Sequence, residues 1–482
     1  MTITSSIIFF ILSICVRIPF ISRVASDAIV HNYFSFLSKS SRRSKINTIR
    51  IKNGYHYYPN LIYIIARDNQ IVKRYFNAFF DSFALLLIAI YVNLNIGETK
   101  YSYLLILIFS PLLLTTKARL KTFSARTFGF FLVTLFEILL LLPSGNEVLI
   151  SFGLVIIGIV IILSSSFASQ FVVLASILMC LMGHTRALPF LVVIILYFFH
   201  PDGKRLIMWK LNHLVWYRRN ALHQNSTGKR QSEFFLDFLN SLRSRDVKKS
   251  LRILLLDSPI FASLALIPYI IYFAYDVNSG ISHLLITVLI IVIATSIKPL
   301  TILGESQRYI EFALFPLSVI AINWTDEILW AVFGYNLILS SISLAFNRKA
   351  SNMSNYRDYA KDSSILTKYV LDLKLKRIIA LPSKMAFDLY NQSNGEILTN
   401  VPHIADDQNK VNGFANSSAL EDGLDMYNYS NESLLKLVDP RDFVALYSSE
   451  VKRDEYSVLR SEKFRLLTVE GLDPSIQLYE RI

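Results

Sequence analysis

The chain has 482 residues, 53% of them hydrophobic and only 18% charged, with a mean hydropathy of +0.42. Soluble domains carry about a quarter charged residues, so a wholly soluble protein is excluded. The net charge of +13, from 49 Lys and Arg against 36 Asp and Glu, would point to nucleic acid in a soluble chain. Here the cations crowd between apolar runs, where they meet lipid phosphates and anionic headgroups instead. Cys15 and Cys180 both lie inside apolar runs, which leaves neither a disulfide framework nor a zinc site. The 34 Phe and 25 Tyr suit the aromatic belts of a membrane protein.

The first apolar run, 7–20, lacks a basic leading region and a small-residue cleavage site, and reads as a retained first helix. Further runs follow at 79–92, 103–114, 128–142, 148–163, 171–182 and 188–199, then at 260–275, 284–297, 309–322 and 328–346. With their flanks these approach the roughly 20 residues that a bilayer requires, which gives a helical bundle of about eleven spans. Residues 164–170 and 183–187 read as short turns between them. Three stretches escape the membrane: the Tyr-rich 23–77, the basic 201–251 and everything after Arg348. Segments 206–216 and 234–242 are amphipathic, as helices lying in the interface would be. The tail mixes strand-like runs at 377–381 and 442–448 with a helical run at 365–373, the pattern of a small α/β domain. Residues 391–429, rich in Asn, Ser, Asp and Gly, read as a mobile loop. The fold class is therefore mainly α, a polytopic bundle over 1–347 with a soluble α/β domain over 348–482.

Asp27 stands just beyond the first helix, with His31 four residues later on the same face if the segment is helical. Asp is also a good helix cap, so Asp27 serves either chemistry or capping. An aromatic stretch with a proline break follows, His56 through Tyr58-Pro59-Asn60-Leu61. Ahead of the tenth run, Glu305, Arg308 and Glu311 lead into apolar sequence. A charge at bilayer depth is tolerated mainly when paired or facing a polar cavity. Arg308 and Glu311, three residues apart, suit an ion pair on one helical face, and a phosphate-binding Arg308 is the equal alternative. Asp81, Arg126, Glu137 and Asp257 also punctuate the apolar runs; Asp81 and Arg126 sit near span ends and Glu137 lies deeper. The sequence holds no G-x-x-x-x-G-K-[ST], G-x-G-x-x-G after a strand, H-E-x-x-H or C-x-x-C, which argues against ATP-driven transport by this chain.

Ser26-Asp27 through His31, the Tyr58-Pro59-Asn60-Leu61 stretch and Lys73-Arg74-Tyr75-Phe76-Asn77 through Asp81 resemble the GT-C superfamily of membrane glycosyltransferases. Ser124-Ala125-Arg126-Thr127-Phe128-Gly129, Phe167 through Gln170 and Gly304-Glu305-Ser306-Gln307-Arg308-Tyr309 are similar to uncharacterised bacterial relatives linked to surface polysaccharide synthesis. The resemblance covers roughly 1–346. It implies a polyprenyl-phosphate-sugar donor and a glycan, lipid or protein acceptor, with Asp27 as general base. Arg308 and Arg126 would neutralise the lipid phosphate, Glu305 would orient Arg308 or bind sugar, and His31 or His56 would contact sugar hydroxyls. Members of the superfamily differ in the use of a divalent metal ion. The resemblance also places loops 23–77, 201–251 and the tail on the extracytoplasmic side of a prokaryotic plasma membrane. The positive-inside bias of the basic 201–251 loop argues the reverse. A polysaccharide polymerase or ligase, or a transporter or flippase of lipid-linked sugars, is the alternative function.

Overall fold

A computed structural model of the chain describes residues 1–21, 65, 69–97, 99–114, 125–143, 145–199, 231–253, 280–296, 306–353, 359–373, 377–381, 385–393, 396–399, 431, 434–435, 438–447 and 456–482. Most of them are helical. Four helices are long and apolar enough to cross a membrane, Ile3–Phe20, Ile71–Asn95, Glu147–Ser164 and Asp326–Ala345, and five shorter apolar helices accompany them. The expected span at 260–275 and the amphipathic segment at 206–216 lie outside the described residues.

The helices begin and end for local reasons. In α1 (Ile3–Arg17) the Thr2 side chain accepts from the Ser5 amide and caps the first turn. Helix α2 (Gln70–Asn95) starts well before residue 79, where the apolar run begins, because Asn69 accepts from the Ile71 and Val72 amides. A helix follows its cap rather than its hydrophobicity, and the expected loop 23–77 therefore ends at residue 69. This also moves Asp81 from a span end to the middle of α2, where it is fully buried. Helix α3 (Tyr101–Ile108) stops short of Pro111, which heads a separate turn, Pro111–Leu114. Helices α4 (Ala125–Leu141), α5 (Glu147–Ser164) and α6 (Ser166–Leu181) form the middle of the bundle. The turn expected over 164–170 shrinks to the single extended residue Ser165, whose hydroxyl oxygen caps α6 by accepting from the Ala168 amide. Gly183, at φ +93°, closes α6 in the left-handed conformation that glycine adopts without strain. Helix α7 (Leu188–Phe199) follows.

In the basic stretch, α8 (Gln231–Arg243) exposes Leu236, Leu239 and Leu242, matching the expected amphipathic helix, and α9 (Val247–Arg252) folds back on it through a Ser241–Ser250 hydroxyl contact of 2.7 Å. After α10 (Gly280–Ser296) the expected tenth span is broken in three. It runs through α11 (Ser306–Tyr309), a 3₁₀ turn Ile310–Ala313 and α12 (Leu314–Ala321). Helix α13 (Asp326–Met353) returns across the bundle and packs against α3.

The tail carries α14 (Tyr359–Asp372), α15 (Ala386–Gln392) and five strands: β1 (Arg377–Leu381), β2 (Leu398–Thr399), β3 (Phe443–Tyr447), β4 (Phe464–Leu467) and β5 (Ile476–Arg481). Sheet order is β2-β1-β3-β5-β4, parallel on the β2-β1-β3 side and antiparallel beyond it. Alternation divides β1 between two cores, Ile378 and Ala380 on one face, Ile379 and Leu381 on the other. Every residue of β3 is buried, as a central strand covered on both sides must be. Strand β2 falls inside the stretch read as a mobile loop; residues 400–429 of that stretch are not described.

Candidate functional site

One end of the bundle gathers the C-terminal turn of α1, the N-terminal halves of α2, α4 and α6, and the α11–α12 segment. It is built by close backbone approach. A methyl group on Gly129 of α4 would sit 2.7 Å from the Ser165 hydroxyl and 2.9 Å from the Ala168 methyl, so only glycine lets α4 meet the head of α6. On that contact the α11–α12 segment is seated by aromatic stacking. Phe167 stacks on Tyr309 at 4.5 Å between centroids, and Phe171 on Phe312 at 4.2 Å. The Tyr309 hydroxyl donates to Gln170 Oε1 at 3.2 Å. Such offset pairs fix orientation as well as burying area.

With that segment in place, Glu311 faces Arg126. The arginine Nε donates to Glu311 Oε2 at 3.1 Å, and Nη2 lies 3.1 Å from the same oxygen. The Glu311 side chain is fully buried and that of Arg126 is 15% exposed. Sequence spacing suggested a local partner, Arg308; the structure gives Glu311 a cross-bundle partner, because the 3₁₀ turn rotates it towards α4. Arg308 sits partly buried one turn earlier on α11. Next to Arg126, the Thr127 hydroxyl donates to Asn77 Oδ1 at 2.9 Å inside the α2–α4 contact. Lys73 and Asp81 on the same helix are also buried.

A second polar knot joins α1 to α2. Arg17 is fully buried, its Nη1 donating to the Ser13 carbonyl at 2.9 Å and to the Ser13 hydroxyl at 2.8 Å, and Ser13 donates to the Ser82 hydroxyl at 2.9 Å. Arg17 lies near the end of the first apolar run, where a basic residue usually snorkels to the interface, so the sequence does not mark it as buried. Its signal was the pair of small hydroxyl residues at Ser13 and Ser82.

Of the residues singled out from sequence, Arg126 and Arg308 are described and lie on this same end. Asp27, His31, His56 and Glu305 lie outside the described residues. Four of the quoted segments, around Asn77, Arg126, Gln170 and Arg308, converge here. Glu137 lies deeper on α4, buried, with its Oε1 lacking a hydrogen-bond partner among the described residues. No group of three or more His, Cys, Asp or Glu suited to a metal ion occurs among the described residues. Chemically, each arginine carries a planar fork of donors of the kind that suits carboxylate or phosphate oxygens, and Arg126 turns part of its fork towards the buried Glu311.

Together these features define an integral membrane protein, mainly helical, with a small C-terminal sheet and a charged polar cluster at one end of its bundle. No family model matches the chain, and no curated protein matches it. Among solved structures it is similar to the single-particle cryo-EM structure of the arabinofuranosyltransferase AftD from Mycobacteria, at 13% identity and a TM-score of 0.48. The match covers 100% of this chain and 40% of that one, so this chain spans well under half the length of that protein.

Proposed function

We propose that the protein is a membrane glycosyltransferase that moves a sugar from a polyprenyl-phosphate donor to a glycan, lipid or protein acceptor during surface-polysaccharide synthesis. The observation that carries the reading is the convergence of four short segments, distant in sequence, on the Arg126–Glu311 end of the bundle. In this scheme the acceptor hydroxyl oxygen attacks the anomeric carbon and Asp27 takes its proton. The bond from that carbon to the lipid phosphate breaks, and configuration inverts. A phosphate is already a good leaving group, so the protein's main task is to neutralise the charge that develops on it. Arg308 and Arg126 do this, with Glu311 holding the Arg126 guanidinium in place. Glu305 orients Arg308 or binds sugar, His31 or His56 contacts sugar hydroxyls, and a divalent metal ion is an optional participant. The site and the tail face the extracytoplasmic side.

The test has two arms. Undecaprenyl phosphate is titrated onto the purified protein in lipid nanodiscs and followed by native mass spectrometry. Losing a charge-assisted hydrogen bond costs about 1.5–3 kcal/mol, so Arg308→Gln and Arg126→Gln should each weaken binding by about tenfold or more. Unchanged binding in both variants overturns the phosphate role. In the second arm, Asp27→Asn retains binding and loses sugar transfer in membranes supplied with radiolabelled lipid-linked sugars; full transfer removes Asp27 from the mechanism.

A second reading, translocation of a lipid-linked sugar, draws on Asp81 and Glu137, which lie buried well inside their helices. Ionisable residues at that depth are frequent in transporters. In that case Glu137→Gln stops movement of the lipid while Asp27→Asn has no effect.

A further inference from the structure

At the opposite end of the bundle, the turn between α6 and α7 meets the start of α10. His184 Nε2 lies 2.8 Å from His283 Nδ1, and the two rings stand edge to face with centroids 5.0 Å apart. The backbone of α10 comes so close that a methyl group on Gly280 would lie 3.2 Å from a carbon of the His184 ring and 2.9 Å from Leu141. Beside the pair, Arg186 is fixed in the same turn. Its Nε donates to Glu147 at the head of α5 at 2.9 Å, and its Nη1 donates to the carbonyls of Leu140 and Leu142 at the end of α4. We propose that His184 and His283 form an acid-released latch that ties the α6–α7 turn to the first turn of α10.

The physics is that of a shared proton. A nitrogen–nitrogen contact of 2.8 Å exists only while one nitrogen carries hydrogen and the other offers a lone pair. Once both rings are cationic, two N–H groups point at each other and the contact breaks. The surrounding charges favour that outcome. Arg186 adds a fixed cation, and the carboxylate of Glu147 is already committed to it. Among the described residues, α6 brings only the Cys180 thiol, α2 brings the Tyr91 phenol, which donates to the Leu141 carbonyl, and α10 has no carboxylate in its sequence. His184 lies in the turn outside the membrane-spanning helices. Its own burial, the facing His283 and the Arg186 cation hold it below the ordinary imidazole range. A depressed imidazole pKa means that the unfolded chain takes up its proton first, so the stability this group contributes is complete at neutral pH and falls on acidification.

Opening here reaches the other end of the bundle. Helix α10 packs along α11, the 3₁₀ turn and α12, the segment that carries Arg308 and Glu311. Freeing its first turn therefore loosens the element against which that segment is seated.

The test is hydrogen exchange by mass spectrometry on the whole protein in nanodiscs at pH 7.5, 6.0 and 5.0, with rates corrected for the intrinsic pH dependence. In the wild type, the peptides covering 183–187 and 280–286 should lose protection on acidification severalfold more than their neighbours in α6 and α7. His184→Gln and His283→Gln, which keep a polar group but remove the titration, should abolish the step whatever their absolute protection. His283→Arg should expose both peptides already at pH 7.5. A wild type without the step, or a step that survives in both glutamine variants, overturns the latch. Because the readout needs no substrate, its failure is separate from failure of the glycosyl-transfer reading.

Discussion

At the scale of single residues, the protein holds several charges where water is scarce. Glu311 is tolerated inside the bundle because Arg126 reaches it across the helices. Removing one member of such a pair leaves the other buried and uncompensated, at a cost of about 3–5 kcal/mol, whereas replacing both with apolar groups of similar volume is often neutral. Glu311→Ala should therefore lower the thermal midpoint in detergent by several degrees, and Arg126→Met with Glu311→Leu should recover most of the loss. In the tail, burial pushes the carboxyl of Asp442 up to about 6, despite the Asp439 amide and Arg377 that favour its charged form. The folded sheet then keeps a proton between pH about 4 and 6 that the unfolded chain has released. This group's contribution to stability is complete below that window and is lost as the pH rises through it. Asp442→Asn should abolish that dependence, measured as the difference in exchange protection of Phe443–Tyr447 between the two proteins at pH 4.5 and 7. An equal difference at both pH values would remove Asp442 as its source. The candidate site was legible in part at this scale. Arg126 and Arg308 stood out as charges beside apolar runs. The partnership with Glu311 did not, because sequence spacing shows only neighbours on one helix, and this pair spans 185 residues.

At the scale of elements, the packing of the bundle is set at a few small residues. A methyl group on Gly158 of α5 would come within 2.1 Å of the Phe190 ring on α7. Phe190 is itself fully buried and cannot simply turn away. Gly158→Ala should cost about 1–3 kcal/mol through overpacking, and Phe190→Leu should relieve it in the double variant. Stabilities that add independently would contradict this contact. Most helices were readable as apolar runs, and the strand at 377–381 was readable to the residue, since a short run of Ile and Leu covered on both faces has little else to become. What the runs concealed were the ends. Asn69 starts α2 in polar sequence, and Ser165 breaks α5 from α6 in a single residue. The split of the tenth span was equally hidden, because apolar composition is the same for an α-helix and a 3₁₀ turn, and the aromatic stack on Phe167 and Phe171 selects between them.

For the whole molecule, the two ends of the bundle differ in kind. One carries Arg17, Lys73, Arg126, Arg308 and Glu311; the other carries the histidine latch and the Arg186–Glu147 pair. Helix α13 starts with Asp326 paired to Lys100, beyond the C-terminal end of α2, and its later residue Leu344 packs against Phe20 after α1, so it runs back towards the side of the arginines. The positive-inside bias would turn that side to the cytoplasm, while a lipid-linked-sugar transferase of the kind proposed requires it outside. Composition could not resolve this conflict, since long loops cross membranes largely regardless of their charge. The most direct measurement is single-cysteine labelling of intact cells with a membrane-impermeant maleimide, in a background lacking Cys15 and Cys180. Probes at Ser38, Ser226 and the exposed Ser457 of the tail should label before the cells are opened, and a probe at Thr185, in the turn beside His184, only afterwards. The reverse pattern, with Thr185 labelled from outside and the other three protected, would contradict glycosyl transfer at the extracytoplasmic face.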